Sequence, residues 1–100
     1  MSGAVTQAQL RRGLVLLTLH AQYPFSLVEA LLTRATATMY VGDPREAARD
    51  LAYLEERKFI ATETSGFRGT VLRSFKLTAV GVDVVLGVIE DPGVIIGSPA

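Results

Sequence analysis

The chain has 100 residues, 49% of them hydrophobic and 20% charged, a balance that suits one compact domain and excludes a disordered chain. Ten Lys+Arg offset ten Asp+Glu, and the zero net charge argues against strong non-specific affinity for DNA. With no Cys, no secretory leader pattern in MSGAVTQAQLRR and no apolar run approaching ~18 residues, a soluble intracellular protein without disulfides or thiolate metal sites is expected.

Thr6 is placed to N-cap a first helix running to about Gln22. Leu10, Leu14 and Leu17 recur at i, i+4 and i+7 and predict its buried face, with Val15 and Leu16 widening it and Arg11 and Arg12 on the other side. Gly13 sits inside this helix at a cost of about 1 kcal/mol relative to Ala, which close approach of another backbone would explain. Tyr23-Pro24 ends the helix, because a residue before proline avoids the α region. Ser26, with Glu29 three residues on, reads as a capping box for a second helix over LVEALLTRATA, with Leu27, Ala30 and Leu31 inward and Arg34 outward. Residues 38–41 then turn β-prone and predict a short edge strand, broken by Gly42.

The strongest local signal is residues 43–58, DPREAARDLAYLEERK. Asp43 suits the N-cap, Pro44 the first helical position and Glu46 the closing of the cap. Ala47, Leu51 and Leu54 form the inward face, and Arg45, Arg49 and Tyr53 a stripe on the opposite one. Residues 59–64 alternate as a strand, residues 65–69 (SGFRG) read as a turn with two glycines, and residues 70–77 form the return strand. Val71, Phe75 and Leu77 share one parity with Arg73, a charge that must reach water near the hairpin tip. Thr78 caps a last helix over residues 79–86, with Val80, Val84 and Val85 packing on the first helix, and Gly87 stops it. Helices followed directly by a hairpin predict an α+β winged helix-turn-helix: three helices, a β-hairpin wing and a C-terminal helix over residues 1–91, then an irregular tail, 92–100. The apolar Val94-Ile95-Ile96 is expected to fold over the core or to dock on a second subunit.

The tract AARDLAYLEERKFI and the closing pattern Leu77-Thr78, Gly81, Asp83-Val84, Gly87, Pro92-Gly93-Val94 resemble a group of small winged-helix proteins of Mu-like phages and prophages, often labelled as regulators of the ArsR type. The likeness runs roughly from Arg11 to Val94. It implies a phage-encoded winged helix in the cytoplasm of a bacterial host. Family members often carry basic residues after Pro-Gly-Val, where this chain has Ile95 and Ile96.

The expected function is DNA binding or a transcription-associated role on double-stranded DNA. Arg45, Arg49 and Tyr53 would face the major groove, while Arg68, Arg73 and Lys76 would hold the backbone from the wing. Local charge is divided on this. Residues 43–58 carry four bases and five acids, with Glu46 and Asp50 able to pair with Arg49 and Arg45 along the helix, whereas residues 66–76 carry three bases and no acid. The alternative is a winged-helix adaptor or dimerisation module, suggested by the neutral charge, the acids of the third helix and the apolar tail. Analogy with other winged helices points to a homodimer through the terminal elements. His20 stands alone, no nucleophile has a base partner, and the glycines match no phosphate loop. No catalysis, cofactor, metal, membrane or small-molecule ligand is therefore expected.

Overall fold

The computed structural model describes residues 6–37 and 44–97. Its elements follow in the order α1 (Gln7–Gln22), β1 (Leu27–Val28), α2 (Glu29–Ala37), α3 (Pro44–Glu56), β2 (Ile60–Phe67), β3 (Thr70–Leu77) and α4 (Ala79–Val85). The described residues thus make an α+β fold of four helices and one antiparallel sheet in the order β1-β3-β2. None of these helices is long and apolar enough to cross a membrane.

Helix α1 opens on a full capping box. The Gln9 amide donates to the Thr6 hydroxyl, and the Thr6 amide donates back to the Gln9 side chain at 2.7 Å. It closes at Tyr23, which is extended ahead of Pro24. Its buried residues are Gly13, Val15, Leu16 and Leu19, whereas Leu10, Leu14 and Leu17 are only half-buried. Apolar residues nearly encircle this helix, so periodicity alone could not choose the inner face; the sheet and the tail do. Gly13 has the reason its position suggested, since a methyl there would overlap the Ile95 carbonyl.

The expected start of the second helix is corrected. Leu27 and Val28 are strand β1, pairing with Phe75 and Ser74, and α2 begins at Glu29. Pairing with β3 takes Leu27 and Val28 out of the helix, and the inner face of α2 differs from the expected one. Leu32 is buried, while Ala30 and Leu31 are exposed beside Arg34. The expected edge strand at 38–41, Gly42 and the Asp43 cap lie outside the described residues.

Pro44 opens α3, and Leu51 and Leu54 are buried with Ala47 half-buried. The helix stops at Lys58, whose φ of 68° is left-handed. The Lys58 amide donates to the Glu55 carbonyl and the Phe59 amide to the Leu54 carbonyl, the paired bonds of a Schellman stop. That stop delivers the chain directly into β2, and the Thr78 hydroxyl clasps the corner by donating to the Lys58 carbonyl at 2.7 Å. The hairpin turn is tighter than the sequence suggested. Phe67 pairs with Thr70, leaving only Arg68 and Gly69 between the strands, both at positive φ (50° and 79°) as a type I′ turn requires.

Thr78 caps α4 by accepting from the Gly81 amide, and Gly87 at φ 80° ends it with the same Schellman pairing. Val84 is buried and Val85 half-buried, but Val80 is exposed. The helix is seven residues long, so only one narrow stripe reaches the core. Phe75, Leu16, Leu19, Leu32, Leu54 and Leu77 are the fully buried centre, and Val94 of the tail belongs to the same cluster. Truncating any of these leucines to Ala would cost about 2–5 kcal/mol.

Candidate nucleic-acid interface

The outward face of α3 carries Arg45, Ala48, Arg49, Ala52, Glu55 and Glu56, all exposed. The two arginines occupy its N-terminal half and the two glutamates its last turn. The other acids of the helix do not share this face. Asp50 is 3% exposed and grips α1: Arg11 Nε donates to Oδ2 at 2.7 Å and Arg12 Nε to Oδ1 at 3.2 Å. Glu46 turns the same way and meets Arg11 at 3.2 Å. Glu46 and Asp50 therefore pair with α1, and the expected pairing with Arg49 and Arg45 along α3 is not what holds them. Arg11 and Arg12 are correspondingly half-buried at the α1–α3 seam, not on a solvated side. The Arg11 guanidinium has its pKa raised, chiefly by the hydrogen bond to Asp50.

Tyr53 does not complete the expected stripe. It is half-buried, its ring lies under Arg12 at 4.1 Å and near Arg57 at 5.1 Å, and its hydroxyl donates to Asp91 Oδ2 at 2.6 Å. Burial first, and the Asp91 hydrogen bond second, push the phenol pKa up. Asp91 also accepts from the Gly93 amide and pairs with Arg57 at 3.7 Å. The tail then runs along α1, where the Arg12 guanidinium donates to the Gly93 carbonyl, the Gln9 side chain donates to the Pro92 carbonyl and the Ile95 amide donates to the Gln9 carbonyl. Val94–Ile96 thus covers the core of its own chain.

The wing cations fall on two faces. Arg73 shares the face of Phe75, with its guanidinium 5.2 Å from that ring, and lies beyond the buried part of the sheet, exposed. Lys76 projects from the opposite face, where it pairs with Glu63 at 3.8 Å. Arg68 is exposed at the turn. The Thr62 hydroxyl donates to Glu55, tying the base of β2 to the last turn of α3. His20 is half-buried in the last turn of α1. Among the described residues, no three His, Asp or Glu side chains are grouped to hold a metal ion.

The residues that sequence reasoning missed are the seam itself: Arg11, Arg12, Asp50 and Asp91. One signal was available. Asp50 stands on the inward face of α3, three residues after Ala47 and four before Leu54, and a carboxylate there demands a buried cation. No protein-family model matches the chain, and no curated protein matches it.

Proposed function

We propose that the chain is a winged helix-turn-helix protein that binds double-stranded DNA, encoded by a Mu-like phage or prophage and acting inside the bacterial host. The observation that carries the reading is the sorting of charge on α3. Glu46 and Asp50 are drawn to α1, so the exposed N-terminal half of the described helix presents Arg45 and Arg49 between small alanines. In helix-turn-helix recognition that end of the helix meets the base edges. The element order and the sheet order β1-β3-β2 support the winged architecture, with β2 and β3 as the wing.

Arg45 and Arg49 are one helical turn apart, about 6 Å along the axis, which spans about two base-pair steps of a major groove. Each offers the planar fork that matches guanine O6 and N7. Arg68 and Arg73 supply the phosphate contacts from the hairpin. Tyr53 and Lys76 are left out of the contact set, since the first serves the tail and the second pairs with Glu63. With only two backbone cations, the logarithm of affinity should fall against the logarithm of salt with a slope of roughly −2. An anisotropy titration on random and phage DNA at low salt tests this. Arg68→Ala with Arg73→Ala should flatten the slope on every sequence, and Arg45→Ala with Arg49→Ala should remove preference between sequences. Absence of salt-sensitive binding at micromolar protein rejects the reading.

A second reading, a protein–protein adaptor, is favoured by Leu86 and Val88, which are 64% and 73% exposed in the turn after α4, with Ile89 beside them. Light scattering across a concentration series separates the two readings. Concentration-dependent association that Leu86→Ser with Val88→Ser abolishes, in a protein that leaves DNA unbound, would favour the adaptor.

A further inference from the structure

Between α1, α2 and α3 lies a partly open pocket of about 240 Å³. Val15, Leu32, Ala47 and Leu51 give it apolar walls, and the Arg11–Asp50 pair closes one side. A concave, mostly apolar space with a few polar groups at its edge is the ordinary form of a small-molecule site. We propose that it is a binding site for a small neutral apolar molecule, of the class of a substituted benzene or a fused bicyclic ring.

Size and charge select that class. The space exceeds the ~150 Å³ of an engineered cavity that takes benzene, and stands at the small end of ligand pockets, which begin at roughly 300 Å³. The charges at its edge are already matched. Asp50 has each oxygen on a different arginine, and Arg11 also meets Glu46, so two cations face two carboxylates. Among the described residues the charges at the pocket are thus matched, and an ionic guest would give up its hydration without a new partner there. The Thr36 hydroxyl is committed to the Leu32 and Thr33 carbonyls. Binding would therefore rest on burial of apolar surface, with Thr33 on the wall able to serve a single polar substituent. Sequence patterning gave no sign of this site because its walls come from three separate helices.

The site is tested on the protein alone, so its outcome is independent of DNA binding. Toluene and indole are titrated into the full chain labelled for amide NMR, with benzoate as the charged counterpart. Both neutral probes should shift amides of Val15, Leu32, Thr33, Ala47 and Leu51, and benzoate should bind at least about tenfold more weakly than toluene. Ala47→Leu places a larger side chain in the space and should weaken both probes by about tenfold or more. Thr36→Leu fills the same space from α2 and supplies the answer if the first variant does not fold. No perturbation of the wild-type amides up to the solubility of the probes overturns the proposal. So does binding that survives the filling variants, or benzoate that binds as tightly as toluene.

Discussion

Arginine does different work at the two ends of this molecule. At the seam of α1, α3 and the tail, Arg11, Arg12 and Arg57 each meet a carboxylate on another segment, and the carboxylates of Asp50 and Asp91 are nearly buried. At the outer half of the hairpin, Arg68 and Arg73 stand among exposed residues, with Val71 69% exposed on the same ribbon. What differs is the depth of the surroundings. A buried carboxylate fixes its cations into the frame, because separating them strands a charge out of water. A cation on the exposed outer part of the ribbon contributes little to folding and carries its charge at the surface.

Substitutions can break or sharpen that contrast. The largest effect is expected from Asp50→Ala, which removes one acid and leaves two half-buried guanidiniums facing each other. Urea denaturation should show a loss of about 3 kcal/mol. A loss below 1 kcal/mol, on the order of an exposed pair, would mean the seam is no deeper than the hairpin. Gly13→Ala follows, at about 1–3 kcal/mol destabilising, because the methyl meets the Ile95 carbonyl. The sign is diagnostic, since helix propensity alone would stabilise by about 1 kcal/mol. An unchanged or raised melting temperature would show that the tail does not lie on α1.

Tyr53→Phe should cost about 1 kcal/mol by removing the hydrogen bond to Asp91. It also carries a pH signature. The raised phenol pKa means that the folded chain holds this proton more tightly than the unfolded chain. The linked stability is therefore complete below the ordinary tyrosine value of about 10 and drains away as pH rises through the folded value. Stability curves of wild type and variant should converge in alkali; parallel curves would refute the linkage. The smallest effect is expected from Arg68→Ala with Arg73→Ala, within about 0.5 kcal/mol by urea denaturation. A larger loss would move the hairpin cations into the frame and weaken their assignment to DNA.

Elements with a local signature were legible in the sequence. Pro44 marks the start of α3, Thr78 the cap of α4, and Gly87 its stop, each through one residue's own backbone or hydroxyl chemistry. The hairpin strands were legible, but the turn was read too long, because Gly66 offered a second breaker that the ribbon does not use. Strand β1 was read as helix. Two residues have no periodicity, and only pairing with the distant Phe75 and Ser74 makes them a strand. In the candidate site, the exposure of Arg45 and Arg49 follows from helical spacing alone. The roles of Tyr53, Glu46 and Asp50 do not, because their partners come from the tail and from α1. Spacing reports which side of a helix a residue occupies, and it is silent on what the rest of the chain brings to that side.

Arg68 occupies a backbone conformation that an L side chain adopts at some expense and that asparagine or glycine adopts easily. The summit of the ribbon is thus a place where identity can change while the geometry beneath it is kept or even eased. A charge can be gained or lost there without disturbing the seam below. If partner choice is retuned in this architecture, that single apex is the cheapest dial on which to do it.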